Sequence, residues 1–409
     1  MSTTTPPVLP PMDTTPDIPA ERPSPLARLG LRGKPLAIAN WITVAVGIYL
    51  LITAVSVIGD GFKLATSGRA EELFAFASNP LIALMIGLLA TALIQSSSTT
   101  TSITVGLVAG GLPMATAIPM LLGANIGTTL TSTLVSLGMM RDKASFRRAF
   151  SAASVHDFFN LLAVVIFLPL EIMFGLLERT SSFLAEQFAG SDGGALTFIF
   201  GGLGNAVTAI TDPLADTIGL IGKAIDHPWG GILLIAIGIA LILGVINLIG
   251  KLLKVVMVGR ARKILHAAIG RGPLSGIASG ALVTVMVQSS STTTSLMVPL
   301  AGSGTFTTRQ IYPFTLGANI GTTITALIAA FAFTGMDGQL ALQAALVHLL
   351  FNTFATILIY GVPFLRELPV HGAELLARLG AERKMYVAVW VLGVFVALPA
   401  TLILLTVLL

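Results

Sequence analysis

Gln95-Ser96-Ser97-Ser98-Thr99-Thr100-Thr101-Ser102 recurs without change as Gln288-Ser289-Ser290-Ser291-Thr292-Thr293-Thr294-Ser295. Two more blocks follow each copy in the same order. Gly123-Ala124-Asn125-Ile126-Gly127-Thr128-Thr129 returns as Gly317-Ala318-Asn319-Ile320-Gly321-Thr322-Thr323, and Val155-His156-Asp157-Phe158-Phe159-Asn160 is echoed by Val347-His348-Leu349-Leu350-Phe351-Asn352. Pro80 and Pro119 also find counterparts in Pro273 and Pro313. The offset stays between 192 and 194 residues (155 to 347, 95 to 288, 123 to 317). Three blocks kept in order at one spacing mark a duplication, and a duplication frames every motif inside it.

The sequence around the copies belongs to a protein solvated by lipid. Of 409 residues 54% are hydrophobic and 10% charged, and the mean hydropathy is +0.90. A soluble domain carries about a quarter charged residues. Apolar runs at 36–59, 229–250 and 385–409 reach the roughly 20 helical residues that cross a hydrocarbon core. The chain is therefore expected to be an all-α polytopic membrane protein. With no cysteine, disulfides, thiolate metal sites and cysteine nucleophiles are excluded. The net charge of +4 does not point to nucleic acid, because the cations sit at the edges of apolar runs.

Those cations orient the chain. Residues 1–35, rich in Pro, Thr and Ser and ending in Arg28, Arg32 and Lys34, read as a disordered cytoplasmic tail. A first span, 36–60, runs outward. Arg141, Lys143, Arg147 and Arg148 lie inside, 178–228 becomes a polar external loop, and a linking span, 229–258, returns to the basic cluster Lys251, Lys254, Arg260, Arg262, Lys263 and Arg271. The copies occupy 79–177 and 272–365. A last span, 385–409, leaves the C-terminus outside a cell (inner) membrane.

Each Gln-Ser-Ser-Ser block divides two half-length apolar segments, such as 81–94 and 103–112. Read as a re-entrant helical hairpin, such a pair puts its polar tip at mid-depth and leaves the basic clusters inside. The first hairpin then enters from outside and the second from inside, as inverted-topology repeats require. Non-helical backbone at that depth needs protein or a watery cavity around it. Two tips meeting there supply hydroxyls, a glutamine amide and helix N-terminal N–H groups, which favour an anion. Their oxygens suit a hard cation. A lone pair of serines would read as helix packing. Eight polar residues repeated intact point to a substrate path instead. A serine hydrolase needs a base, an orienting carboxylate and a strained elbow, and no Gly-x-Ser-x-Gly occurs. The 106/110 and 276/280 glycine spacings read as ordinary packing.

The Gly-Ala-Asn-Ile-Gly-Thr-Thr blocks read as broken transmembrane helices whose Asn125, Thr128, Asn319 and Thr322 can offer oxygens to sodium; a small-residue crossing is the alternative. His156 and Asn160 share a helix face, as do His348 and Asn352, and read as structural links. Asp157 differs because its counterpart is Leu349. A lone carboxylate near the bilayer centre costs about 2.5–3.5 kcal/mol, so it is a candidate cation ligand, or else the edge partner of Arg147 or Arg148.

Together these blocks, with Phe146-Arg147-Arg148-Ala149-Phe150 leading into Val155-His156-Asp157, resemble the type II sodium-dependent inorganic phosphate cotransporter family over roughly 41–399. The resemblance implies inorganic phosphate as substrate and sodium ions as the cotransported cations. It places phosphate on Gln95, Ser96, Ser97, Ser98, Gln288, Ser289, Ser290 and Ser291. It places sodium on Gln95, Ser98, Thr99, Asn125, Thr128, Asp157, Gln288, Ser291, Thr292, Asn319, Thr322 and Thr323. Asp157 stands where electrogenic members carry an aspartate, which implies electrogenic transport by alternating access. Three departures stand out: Ser151 where vertebrate electrogenic members have alanine, a short cysteine-free external loop, and a single apolar segment after Lys384. The last two fit a bacterial member. The other readings are a transporter of a different small oxyanion and a non-transporting scaffold of the same fold. A degenerate scaffold should have lost tip residues in one copy, and neither copy has.

Overall fold

Apolar runs with few helix breakers and no water to satisfy their backbone leave helix as the available conformation. A computed structural model describes residues 24–66, 77–189, 195–268 and 271–408, and it is helical, with no strand among them. The tail expected over 1–35 therefore lies mostly outside the described residues. Its last part forms a 3₁₀ turn, Pro25–Leu29, tied down by the Ser24 hydroxyl, which donates to Asn40 Oδ1 at 2.7 Å.

Seven helices among the described residues are long and apolar enough to cross a membrane. They are Gly33–Thr66, Met114–Leu137, Lys143–Phe174, Trp229–Leu253, Thr308–Ala330, Gly335–Tyr360 and Lys384–Thr406. This is a multi-pass membrane protein. In chain order its helices are α1 (Gly33–Thr66), α2 (Pro80–Ile94), α3 (Ser97–Ala109), α4 (Met114–Gly127), α5 (Leu130–Leu137) and α6 (Lys143–Phe174). Then come α7 (Leu176–Ala189), α8 (Ala195–Lys223), α9 (Trp229–Ala268), α10 (Pro273–Val287), α11 (Ser290–Ser295) and α12 (Met297–Gly302). α13 (Thr308–Ala330), α14 (Gly335–Ala355) and α15 (Pro363–Glu382) precede the last span.

The two copies fold alike. Pro80 and Pro273 open α2 and α10 at the position where a missing N–H costs nothing. α2 packs along α4, and α10 along α13, with glycines at both crossings. A Cβ on Gly87 would stand 1.9 Å from the Met120 carbonyl oxygen, and one on Gly280 would stand 2.0 Å from that of Phe314. Gly106 and Gly110 face Val55 and Gly59 of α1 in the same way, so the glycine spacings do mark close crossings.

Contacts between the copies are reciprocal. α3 of the first copy packs on α13 and α14 of the second, while α12 of the second packs on α6 of the first. α7 likewise lies on α14, and α15 on α6. α1 and α9, the long helices that precede the two copies, pack against each other.

Two expectations need correcting. Residues 178–228, read as a loop, are occupied largely by α7 and α8. The buried face of α8 is Gly204, Thr208, Thr211, Ala215, Gly219 and Gly222. Those positions have helical spacing, but small and polar residues filled them and disguised the period. The Gly-Ala-Asn-Ile-Gly-Thr-Thr block breaks a helix only in the first copy. There Thr128 and Thr129 donate to the carbonyls three residues back, Asn125 and Ile126, and α4 gives way to α5. In the second copy α13 runs unbroken through Gly321, Thr322 and Thr323.

α6 is capped by Asp142, whose carboxylate accepts the Ser145 N–H at 2.9 Å. The Ser145 hydroxyl and N–H hold that carboxyl below its usual range.

Candidate functional site

A glutamine ends the first helix of each pair in the left-handed region, Gln95 at φ 56° and Gln288 at φ 53°. Among the described residues these are the two non-glycine positions with positive φ. That conformation disfavours side chains with a Cβ and persists where the surroundings enforce it, often at functional sites. Each backbone N–H closes the preceding helix at 2.7 Å, Gln95 on Thr91 and Gln288 on Thr284. The chain then turns into an extended serine that caps the next helix. Ser96 accepts the Thr99 N–H at 3.2 Å, and Ser289 accepts the Thr292 N–H at 3.2 Å. Identical octapeptides thus fold into identical turns.

The two turns face one cavity of about 470 Å³. Residues 95–99 line one part of it and 288–292 another, which brings together all eight expected phosphate ligands and Thr99 and Thr292. A third wall comes from α9, through Asn247 and Lys251 among others. The tips are not equivalent. Gln288 is fixed, its Nε2 donating to the Val285 carbonyl at 2.8 Å and its Oε1 accepting from Thr325 at 3.0 Å. Gln95 is exposed, and the hydroxyl of Thr131, which matches Thr325 in the first copy, is buried without a partner among the described residues.

The expected sodium residues on α4 and α13 do not line this cavity. The Thr128, Thr322 and Thr323 hydroxyls donate to the carbonyls of Ala124, Ala318 and Ile320 within their own helices. Asn125 and Asn319 instead hold the two copies together. His348 Nε2–H donates to Asn125 Oδ1 at 3.1 Å, and Asn125 Nδ2 donates to Asn352 Oδ1 at 2.6 Å. The other half mirrors it: His156 Nε2–H donates to Asn319 Oδ1 at 2.6 Å, and Asn319 Nδ2 donates to Asn160 Oδ1 at 2.8 Å. Each block's asparagine is thus read by the other copy's His and Asn, an exchange with two-fold character. All six side chains are buried.

A buried donor or acceptor left without its partner costs about 1–3 kcal/mol. Replacing Asn319 by leucine strands both His156 and Asn160. We predict that Asn319→Leu lowers the detergent melting temperature markedly, and that Asn125→Leu does the same. A melting temperature within a degree or two of the wild type would show that these bonds carry little.

Asp157 is fully buried and faces neutral groups. Its Oδ2 accepts from Trp390 Nε1 at 3.0 Å and from Thr133 at 3.4 Å, and Thr129 also faces the carboxylate. Its Oδ1 has no partner among the described residues. The alternative edge pairing with arginine does not form: Arg148 reaches across to the second copy, where Nε and Nη2 donate to the Gly302 carbonyl at 2.9 and 2.7 Å. The break between α4 and α5 falls beside Asp157, and the unbroken α13 belongs to the copy that carries leucine there.

No motif in the sequence marks Asn247, Thr133, Thr325 and Trp390 for these sites, and Lys251 stands out there only as part of a basic cluster. The two threonines continue the polar run of their blocks, a usable signal. Trp390 sits in the final apolar span, far along the chain, with nothing local to single it out.

The Na+/Pi-cotransporter family model matches residues 50–211 and 218–362. Among curated proteins, the chain is 32% identical over 419 residues to sodium-dependent phosphate transport protein 2A of Ovis aries, covering 86% of this chain and 65% of that protein. It is 30% identical over 445 residues to sodium-dependent phosphate transport protein 2B of Homo sapiens, covering 87% of this chain and 63% of the human one. The chain thus spans somewhat less than two thirds of these relatives' length. No solved structure matches it.

Proposed function

The chain belongs to the Na+/Pi-cotransporter family, and on that premise we propose that it couples sodium entry to the uptake of inorganic phosphate across a cell membrane. The observation that carries this reading is the single cavity lined by both Gln-Ser-Ser-Ser turns. Serine hydroxyls and amides there can donate to phosphate oxygens without the firm grip of a bidentate arginine. Phosphate moving into a negative interior carries an electrical cost, and bound sodium ions offset its charge.

The tips are re-entrant. α2 and α10 have 15 residues each, about 22 Å at 1.5 Å per residue, against a core of about 30 Å. The reciprocal His–Asn bonding supports a two-fold relation between the copies, and the basic clusters support its inverted sense. Alternating access then has a physical basis in the unequal tips, one glutamine fixed and the other exposed. Sodium is held by oxygens of the tips and, for an electrogenic step, by Asp157 with Thr129 and Thr133. Asn125 and Asn319 orient the helices rather than bind ions. The N-terminus lies on the cytoplasmic side and the C-terminus outside.

The test is radiolabelled phosphate uptake into proteoliposomes with and without an inward sodium gradient. Uptake should require the gradient, and equal uptake in both conditions sinks the coupling. In the same vesicles, Ser97→Ala with Ser290→Ala removes two hydroxyl donors worth about 1 kcal/mol each, so half-saturation by phosphate should rise at least about tenfold. An unchanged half-saturation returns the tips to a packing role. Replacing phosphate by sulfate decides between this reading and another oxyanion.

A further inference from the structure

We propose that Lys251 is the cation of the substrate cavity, drawing the phosphate anion to the cavity's cytoplasmic mouth and governing its release there. This rests on the phosphate reading above and adds a group that neither hairpin contains. Leu243, Asn247 and Lys251 follow one another at four-residue intervals along α9, so one stripe of that helix forms the cavity's third wall. Its polarity rises along the stripe, from leucine to amide to ammonium.

Among the described residues Lys251 is the one formally charged side chain lining the cavity; the other polar groups there are Gln, Ser, Thr and Asn. It is exposed, and the ion pairs found among the described residues join other side chains: Lys63 with Asp337, Arg309 with Glu367, and Arg366 with Glu367. An ammonium that lines this cavity and has no carboxylate partner among the described residues projects its field into it. Compact, well hydrated and mounted on a flexible stem, it attracts an anion without clamping it.

The charge also has a side. Lys251 begins the densest basic stretch of the chain, with Lys254, Arg260, Arg262 and Lys263 following on the same helix. The positive-inside rule puts that end in the cytoplasm. Lys251 therefore acts on phosphate that enters or leaves from within, and the outward-facing site does not feel it equally.

The test measures half-saturation by phosphate presented to each face of oriented proteoliposomes, for wild type and for Lys251→Gln, Lys251→Glu and Lys251→Arg. For phosphate on the cytoplasmic face, Lys251→Glu should raise half-saturation about tenfold at low ionic strength, Lys251→Gln less, and Lys251→Arg hardly at all. The shift should shrink as salt rises to about 0.3 M, where the Debye length falls below about 8 Å. Half-saturation on the outer face should move little. The proposal is overturned by equal shifts on both faces, by a shift that ignores salt, or by a loss of maximal rate with half-saturation unchanged. Lys251→Gln and Lys251→Arg keep the test decisive should Lys251→Glu fail to assemble. If the wild type moves no phosphate, the parent reading falls and this one with it; if it does and the variants match it, only the role of Lys251 falls.

Discussion

Gly317→Val should abolish the folded protein, and Gly317→Ala should nearly do so. A Cβ at this position would lie 1.9 Å from the Ile277 carbonyl oxygen, 2.7 Å from the carbonyl carbon and 2.8 Å from the Ala281 nitrogen. All three are backbone atoms of α10, so no side chain can turn aside, and the helix itself has to move. Ordinary overpacking costs about 1–3 kcal/mol because neighbours shift by tenths of an ångström. Here α10 would retreat by more than an ångström along a crossing that also holds Gly280 and Gly321. That retreat would drag Gln288 and the second tip with it. Membrane helices associate through such close approach, with no hydrophobic force to replace it. In the first copy a Cβ on Gly123 would lie the same 1.9 Å from the Leu84 carbonyl oxygen, so Gly123→Val should fail alike. Size-exclusion profiles in detergent read the outcome. A monodisperse Gly317→Val protein with wild-type melting would show that the helices are not locked at this crossing.

Asp157→Gly should abolish net charge movement while leaving part of the sodium-dependent phosphate uptake. The carboxylate is the buried acid among the expected site residues and is surrounded by Trp390, Thr133 and Thr129, none of which is cationic. A buried carboxylate without a countercharge is expensive unless a cation joins it. On the proposed reading its removal deletes one cation site and leaves both tips intact, so uptake persists with one fewer positive charge per cycle. Asp157→Asn keeps the shape and the bonds to Trp390 while losing the charge, and should behave like the glycine variant electrically. Current measured against tracer uptake in voltage-clamped vesicles gives the charge per phosphate. A value equal to the wild type in both variants would remove Asp157 from ion coupling.

Much of this was legible because the chain states its plan twice. Octapeptides repeated residue for residue had to make the same turn, and they do, down to a left-handed glutamine and a serine cap. The Gly-Ala-Asn-Ile-Gly-Thr-Thr blocks allowed a small-residue crossing only as the alternative to broken helices, and Gly123 and Gly317 do sit at such crossings. What stayed hidden was carried by residues with no period or partner in sequence. α8 buries glycine, alanine and threonine at helical spacing, a composition that reads as loop until packing is seen. Asn125 and Asn319 have oxygens fit for sodium, but buried imidazoles 223 and 163 residues away claim them first. The second copy carries a helix-breaking sequence without a break. The copy that does break has Asp157 beside it, so the difference lies in tertiary surroundings rather than in the motif.

On the proposed reading, two copies of one motif make a single phosphate site. Equilibrium binding of radiolabelled phosphate to the purified protein in sodium tests it most directly. One phosphate should bind per chain, and Ser97→Ala or Ser290→Ala alone should weaken that one site. Two phosphates per chain, or a single-tip variant that keeps half its sites at unaltered affinity, would contradict it.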